Sequence, residues 1–349
     1  MALDVRKKQV LDAIVDDYVS TYEPVGSKAL IERHNFSVSS ATLRNEMAEL
    51  ERLGLIEKPH TSAGRIPSDR GYREYVNSLM SYDNLTDDER SDIEERISGS
   101  VDDITDLIKT ATDTLSERTG FVSLYMSPRL HKSFLKQLKM LMIEPGKALV
   151  VIVLSAGVVK DKVVRIPNFL TGEQIMHISD SVEQNLTGKP LDEITLVTVA
   201  TSMKGADIPE AMMNQIVYEA YTAIKQADSL NIYLEGENKM LQLPDFGELS
   251  KARNLLDSLS NDGMVAGYVN ELHPMDEPNE DSFMIRIGQE ITLDGLQDCS
   301  FITTTYKIGD DISGNIGVIG PKRMEYSKVI SQIDFVRKTL NNKIKRLTE

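Results

Sequence analysis

The stretch that decides the fold, residues 38–68, reads VSSATLRNEMAELERLGLIEKPHTSAGRIPS. From Leu43 to Leu53 its apolar side chains recur at spacings of three and four residues, which predicts an amphipathic helix. Ser39 or Ser40 is the expected N-cap, because a serine oxygen can accept a hydrogen bond from the first free amides of a helix. Gly54 follows the last apolar residue, a position where glycine commonly ends a helix.

The rest of this stretch predicts a small β-hairpin and a further helix. Residues 55–58 form a short strand, residues 61–64 carry turn chemistry, and residues 65–67 form the return strand. Beyond Ser68 the apolar positions fit another helix and are Tyr72, Tyr75, Val76 and Leu79.

Two more helices are predicted upstream. The apolar stripe of the first consists of Leu11, Ile14, Val15, Tyr18 and Tyr22. Pro24 stops it, Gly26 and Ser27 open a short second helix, and the break at residues 35–38 separates that helix from the third. Helices followed by a hairpin are the arrangement of a winged helix-turn-helix, in which one helix reads the major groove of DNA. We predict such a domain over residues 1–80.

Polar side chains at exposed positions of the third helix and of the hairpin suit contact with DNA. Arginine can bond a guanine edge, asparagine an adenine edge, and hydroxyl groups can reach phosphates. The predicted recognition-helix contacts are Ser39, Ser40, Thr42, Arg44 and Asn45. The predicted contacts in the wing are Lys58, His60, Thr61, Ser62 and Arg65. If the helices stood alone, the serines would be explained best as helix caps and Arg44 as the partner of a nearby glutamate. The predicted wing after the third helix makes DNA contact the favoured explanation for these residues.

The net charge of −15 argues against nucleic acid only at first sight. Phosphate neutralisation needs lysine and arginine, and residues 1–80 carry 11 of them against 12 acidic residues. That segment is therefore at −1, and the other 269 residues hold −14. A local basic patch on an acidic protein can still dock DNA, although charge alone is explained equally well by an ordinary solvated surface.

Downstream of the predicted wing the sequence indicates an α+β multidomain chain. Residues 81–118 are acidic with a helical apolar period and predict a helix that is either a plain linker or part of a dimer contact. Further helices are expected near residues 172–187, 209–226 and 248–260, and the late strands are expected at residues 264–272, 283–287, 299–306 and 315–319. A short strand-like pair lies at residues 231–234 and 239–243. The economical interpretation is one α+β domain over residues 119–170 and 263–349, split by an insert at residues 171–262.

The second helical segment of the insert has a broad apolar stripe. Core packing is the more usual explanation, and part of such a stripe also suits a subunit interface. The candidate dimerisation residues are Met212, Met213, Ile216, Val217 and Tyr221. Dimerisation is expected because paired half-sites multiply the specificity that a single recognition helix provides.

The sequence contains no catalytic constellation. Gly314, Gly317 and Gly320 fit neither common nucleotide-loop spacing and are expected in turns around a buried strand. Cys299 has no nearby histidine partner, so a buried structural thiol is expected there. A single cysteine excludes a multi-cysteine zinc site, and His60 lacks a second ligand at suitable spacing. We therefore expect no enzyme activity, no metal and no cofactor.

The sequence also predicts a cytoplasmic protein without membrane contact. The N-terminus lacks the charged-then-apolar order of a signal peptide. No apolar run reaches the ~20 residues that span a bilayer.

Two motifs resemble a known family. Residues 38–68, 71–73 and 75–76, together with the run GNIGVIGPKRMEY at residues 314–326, resemble the HrcA family of heat-inducible transcription repressors. The resemblance implies a dimeric repressor that binds an inverted-repeat operator upstream of chaperone genes, with repressor activity maintained by the GroE chaperonin. It also implies a GAF-like domain interrupted by an inserted dimerisation domain. Carried over position by position, it implies operator contacts at Ser40, Thr42, Arg44 and Asn45 in the helix and at His60, Thr61, Ser62 and Arg65 in the wing.

The sequence leaves two other functional hypotheses open. The first is a winged-helix regulator controlled by a small-molecule ligand in the GAF-like domain, because folds of that type often hold ligands. The domain has no polar cluster that can be assigned to a pocket. The second is an enzyme with a DNA-binding appendage, which would need catalytic residues that the sequence does not offer.

Overall fold

The structure of the chain is a computed structural model. It describes residues 3–34, 36–60, 63–78, 80, 85–99, 104–128, 130, 133–155, 157–203, 210–227, 231–272, 282–308 and 312–348.

The first part of the chain, called here the N-terminal unit, comprises the described residues from 3 to 80. Its elements are α1 (Val5–Thr21), α2 (Ser27–Arg33), α3 (Ser40–Arg52), β1 (Ile56–Glu57), β2 (Ile66–Pro67) and α4 (Asp69–Ser78). They lie where the capping residues and apolar periods predict them. Their shared core contains the fully buried side chains of Leu11, Ile14, Leu30, Leu43 and Leu50.

The hairpin of the N-terminal unit is fixed by close backbone contacts. β1 and β2 pair in antiparallel fashion, and Arg65 and Val25 exchange two backbone hydrogen bonds of 2.8 Å. A Cβ atom on Gly64 would lie 2.6 Å from the carbonyl oxygen of Pro24, so the close approach requires glycine. The hairpin is therefore tied to the segment between α1 and α2 as well as to α3.

The remaining elements follow in chain order. They are α5 (Asp87–Ile97), α6 (Ile104–Thr119), β3 (Val122–Met126), β4 (Leu135–Glu144), β5 (Lys147–Leu154), β6 (Val159–Arg165), α7 (Gly172–Leu186), α8 (Leu196–Ser202), α9 (Glu210–Ala227), β7 (Ile232–Glu235), α10 (Glu237–Met240), α11 (Leu249–Leu259), α12 (Asp262–Leu272), β8 (Met284–Ile287), β9 (Cys299–Ile308), β10 (Ile312–Pro321) and α13 (Tyr326–Thr348). Short 3-10 turns lie at Pro244–Phe246 and Gly288–Glu290.

Five of these strands form an antiparallel sheet in the order β7-β3-β10-β9-β8. Side chains on one face, such as Ile302 and Ile316, join the core that includes α6 and α13. Side chains on the other face, such as Phe301 and Ile319, pack with residues of α11 and α12. We call this sheet with α5, α6 and α10–α13 the five-stranded unit.

The other three strands form a separate sheet, in the order β4-β5-β6. Its buried face packs against α7 and α9, where Ile178 and Ile216 are fully buried. We call β4–β6 with α7–α9 the three-stranded unit. This pairing differs from the expected division, which groups residues 119–170 with 263–349, because β3 is hydrogen-bonded to β10 and β7 rather than to β4.

Several local expectations are wrong. The described residues of the segment 81–118 form two helices, α5 and α6, with Ser98 ending α5, and α6 packs on the five-stranded sheet and α13 rather than serving as a plain linker. Residues 264–272 belong to α12 and residues 239–243 lie in α10 and the turn after it. In both segments the apolar residues suit either period, and tertiary packing selects the helix.

The three glycines of the second motif lie within β10 and not in turns. A Cβ atom on Gly314 would overlap the Tyr306 ring, and one on Gly317 would overlap the carbonyl oxygen of Ile302. The glycines therefore let neighbouring groups approach this central strand closely.

Contacts of the N-terminal unit, mainly through its helix α4, with the five-stranded unit form what we call the joint. The Arg73 guanidinium pairs with the Glu290 carboxylate and donates a 2.7 Å hydrogen bond to the carbonyl oxygen of Ile285. The Asp69 carboxylate lies 2.9 Å from Lys322 Nζ. It also accepts a 2.9 Å hydrogen bond from the backbone amide of Gln289.

Aromatic side chains complete the joint. The Tyr72 and Tyr326 rings lie 6.0 Å apart, and the Arg323 guanidinium stacks on Tyr22 with 3.3 Å between its carbon and the ring centroid. Arg323 and Tyr326 belong to the motif at residues 314–326, so this motif holds the N-terminal unit against the sheet.

Candidate nucleic-acid interface

The first turn of α3 is organised by its own hydroxyl groups. Ser39 Oγ accepts a 3.2 Å hydrogen bond from the Thr42 amide and lies 3.0 Å from Thr42 Oγ1. Ser39 is therefore the N-cap of the helix. Ser39, one of the predicted contact residues, thus has a capping role that is independent of DNA, and Thr42 is its hydrogen-bond partner.

Arg44 is anchored at its base and exposed at its end. Ser40 Oγ lies 3.0 Å from the buried Ser27 Oγ, and Arg44 Nε donates a 3.3 Å hydrogen bond to the same oxygen. Arg44 and Asn45 are both exposed, whereas Leu43, Met47 and Leu50 of the same helix are buried. Since a guanidinium has five N–H donors, Arg44 keeps donors that can reach a base edge.

A groove of about 450 Å³ lies beside Arg44, between the start of α2, α3 and the hairpin. Arg44 and Arg65 both line it, so the structure brings one residue of each predicted set together. Lys28, an exposed residue in the first turn of α2, lines the same groove and was missed by the sequence reasoning. A lone lysine after a predicted N-cap gives no signal by itself, because only the fold places it beside α3.

Arg65 is neutralised within the N-terminal unit. Its Nη2 atom lies 2.7 Å from Glu51 Oε2, and its Nε also donates to that oxygen at 3.1 Å. The Arg65 side chain is only 17% exposed. Contact between Arg65 and a phosphate would therefore compete with this ion pair.

The other predicted wing residues differ in what the structure describes. Lys58 and His60 are exposed after β1. Thr61 and Ser62 lie outside the described residues. Across the described ranges, no group of three or more His, Cys, Asp or Glu side chains could hold a metal ion.

The predicted dimerisation residues lie on α9, and most of them face inward. Ile216 and Val217 are buried, while Met213 and Tyr221 are partly buried against the same core. The side chain of Met212 lies outside the described residues. Because Ile216 and Val217 already pack inside the three-stranded unit, this stripe is not free to form an interface as a set.

The outward face of the β4–β6 sheet has two apolar rows, separated by a row that contains Lys139, Val151 and Asp161. Leu141 pairs with Leu149, which pairs with Val163, and Val153 pairs with Val159 in a parallel row. Leu141, Val159 and Val163 are 54%, 52% and 55% exposed. An antiparallel sheet with one solvated face normally carries polar residues on that side, so these exposed apolar rows are a candidate contact surface.

Two further expectations from the sequence concern the Cys299 thiol and membrane-spanning helices. Cys299 is buried at the start of β9, and burial raises the pKa of its thiol, which suits a structural role. No helix within the described part of the chain is long and apolar enough to span a bilayer.

Residues 105–330 match the family model described as the HrcA protein C-terminal domain. A heat-inducible transcription repressor HrcA from Ruminiclostridium cellulolyticum is 38% identical over 100% of this chain and 99% of its own length. Its counterpart from Acetivibrio thermocellus is 35% identical over 99% of this chain and 98% of its own. A crystal structure of a hypothetical protein has a TM-score of 0.66 and 22% identity, and it covers 99% of this chain and 100% of its own. That structure establishes a shared fold.

These matches extend over the full length of the chain. Together with the mixed α/β fold and the exposed arginine and asparagine on one helix of the N-terminal unit, they identify the chain as a transcription regulator. The chain belongs to the HrcA family of heat-inducible transcription repressors.

Proposed function

We propose that this chain represses heat-shock chaperone genes by binding an inverted-repeat operator as a homodimer. The observation that carries the proposal is the exposed pair Arg44 and Asn45 on α3, beside a groove that Lys28 and Arg65 also line. Residues 1–80 act as the winged helix-turn-helix, with α3 in the major groove and the hairpin at the backbone. Family membership supports repression, and repressor activity is maintained by the GroE chaperonin.

In this proposal, the boundaries of the remaining domains are those of the five-stranded and three-stranded units. The five-stranded unit acts as the GAF-like domain, and the three-stranded unit, from residue 133 to residue 227, acts as the inserted dimerisation domain. The support is that β3 pairs with β7 across the whole length of the insert. The insert would therefore begin and end earlier than the boundaries 171–262 expected from the sequence.

The second copy of the chain docks on the open face of the β4–β6 sheet. Five apolar side chains lie in two paired rows on either side of the row Lys139, Val151 and Asp161, and they are Leu141, Leu149, Val163, Val153 and Val159. A copy of the same face is the natural partner, because a two-fold interface presents the same patch on both subunits and an inverted repeat requires two-fold symmetry.

The direct test is footprinting of the purified chain on the DNA upstream of its own gene, with and without the GroE chaperonin. We expect a protected inverted repeat whose protection strengthens with chaperonin. DNA without any protected inverted repeat would contradict the assignment to heat-shock genes. Protection that does not depend on chaperonin would support the repressor assignment and contradict the role proposed for the chaperonin.

Arg44→Ala is expected to weaken operator binding by roughly 1–3 kcal/mol and to relax discrimination at one base pair. The reason is the loss of an exposed guanidinium that can read a base edge. Binding to the operator and to single-base variants measures both effects. Arg52→Ala is the matched control, since Arg52 lies at the far end of α3, is paired with Glu49 and is 69% exposed. Equal losses in the two variants would contradict a reading role for Arg44.

Arg65→Ala is expected to weaken operator and random DNA alike, and to reduce the salt dependence of binding by about one phosphate contact. Glu51→Gln should have the opposite effect, because it frees the Arg65 charge for phosphate. Titrations at several salt concentrations measure both variants. If Arg65→Ala binds both DNAs as the parent chain does, the hairpin makes no contact through this residue.

A further inference from the structure

A cavity of about 310 Å³ lies where the end of α1 meets the end of α6 and the start of α13. It therefore lies between the N-terminal unit and the five-stranded unit, beside the joint. Its volume is that of a site for a small ligand. The residues that matter for its chemistry are Tyr22, Arg118, Arg323, Glu325, Lys328 and Gln332.

More basic than acidic side chains line this cavity, and each basic one has a carboxylate partner outside the lining, Asp92 for Arg118, Asp245 for Arg323 and Glu89 for Lys328. Arg118, Arg323 and Lys328 line it against a single acid, Glu325. Arg118 lies 3.4 Å from Asp92, and that carboxylate oxygen also accepts a 3.0 Å hydrogen bond from Arg96.

Lys328 is also weakly neutralised. Its Nζ lies 3.7 Å from Glu89, and Glu89 is engaged in the capping box of α5, where its other carboxylate oxygen accepts the Thr86 amide at 2.9 Å. The cavity also adjoins the first turns of the 23-residue helix α13, whose N-terminal amides add positive potential. These groups together favour an anion.

Two residues that line the cavity have buried polar atoms without partners in the described part of the chain. Gln332 is 2% exposed, and its Oε1 atom accepts no hydrogen bond from any described residue, although its Nε2 donates to the carbonyl oxygen of Arg118 at 3.5 Å. Arg323 is 8% exposed and pairs through Nη2 with Asp245 at 2.6 Å, while its Nε has no partner in the described part of the chain. Such atoms cost free energy until a bound group satisfies them.

The two kinds of unpartnered atom specify the ligand. A guanidinium N–H donates to a carboxylate or phosphate oxygen, often in bidentate geometry. The Gln332 carboxamide oxygen accepts, so it requires a donor on the same molecule. A small oxyanion that also carries a hydroxyl group satisfies both requirements.

We propose that this cavity binds a small hydroxylated oxyanion, of the class of hydrogen phosphate and hydroxycarboxylates, between the N-terminal unit and the five-stranded unit. The ligand contacts Arg118, Lys328 and Gln332 on one side and lies against Tyr22 of α1 on the other. Binding therefore stabilises the docked arrangement of the two units. Any effect on DNA rests on the proposed function, and it would be reciprocal, with DNA changing the affinity for the oxyanion by the same factor.

The test is isothermal titration calorimetry of the full chain with inorganic phosphate, with citrate and with neutral glycerol. We expect saturable binding of at least one oxyanion, a rise in melting temperature with it, and no binding of glycerol. Phosphate and citrate separate the two chemical sources of the oxyanion. Lys328→Gln should weaken binding roughly tenfold or more, as expected for loss of a charged hydrogen-bond donor.

Lys338→Gln is the matched control, because Lys338 lies on the same helix, is 62% exposed and pairs with Asp334. It should bind as the parent chain does. Failure of both oxyanions to bind at millimolar concentration overturns the proposal, and so does equal binding by the two lysine variants. Operator binding by the same samples distinguishes the two proposals. If the chain binds operator but no oxyanion, only the oxyanion site is contradicted. If it binds oxyanion but no operator, only the proposed function is contradicted.

Discussion

Gly71→Ala is expected to unfold the N-terminal unit and abolish operator binding while the rest of the chain stays folded. Gly71 is buried in α4, and a Cβ atom there would overlap the carbonyl oxygen of Leu55. Both partners are backbone, so no side chain can move aside. Overpacking of this kind costs roughly 3 kcal/mol, which is a large share of the stability of so small a unit.

Calorimetry of the full chain measures this effect as a first transition lowered by about 10 °C or more. Gly267→Ala is the matched control, because Gly267 also lies in a helix, α12, but a Cβ atom there meets nothing within 4 Å. That variant should keep or gain about 1 kcal/mol, since alanine is the better helix former. A Gly71→Ala chain that melts and binds operator normally would show that α4 does not lie against Leu55.

Leu141→Lys combined with Val163→Lys is expected to convert the dimer into monomers and to weaken operator binding by about a hundredfold or more. Two lysines placed on the open β4–β6 face put like charges within the proposed two-fold contact and desolvate them there. A monomer engages one half-site at a time and loses the gain from linked binding. Sedimentation and operator titration measure the two effects.

The control for this pair is Leu249→Lys, because Leu249 is an apolar residue on α11 that is 85% exposed. It should leave both assembly and operator binding unchanged. A double variant that remains dimeric would remove the sheet face from the interface. A parent chain that is itself monomeric would contradict dimerisation by any surface.

The elements of the N-terminal unit could be predicted because their signals are local. Ser39 caps α3 within three residues of its own position, and Gly54, with a positive φ of 73°, follows the helix. These features depend only on neighbours in sequence, so the pattern of residues specifies them without knowledge of the rest of the fold.

The architecture downstream could not be predicted in the same way, because it depends on distant partners. β3 pairs with β7 more than 100 residues away, and nothing in either strand specifies the other. Residues 264–272 have an apolar pattern that fits a strand, yet their burial against Phe301 and its neighbours is that of helix α12. The same limit applied to the site, where Lys28 acquires meaning only from the groove it shares with Arg44.

The joint has a consequence for how the proposed dimer would meet DNA. Arg73 and Asp69 hold α4 to the five-stranded unit at Glu290 and Lys322, so in the proposed dimer each α3 would be docked on that unit rather than carried on a flexible tether. The distance between the two α3 helices is then a fixed length of the assembly. Such a dimer would select operators by the number of base pairs between their half-sites as well as by their bases. The spacing that it accepts would change only if the joint opened.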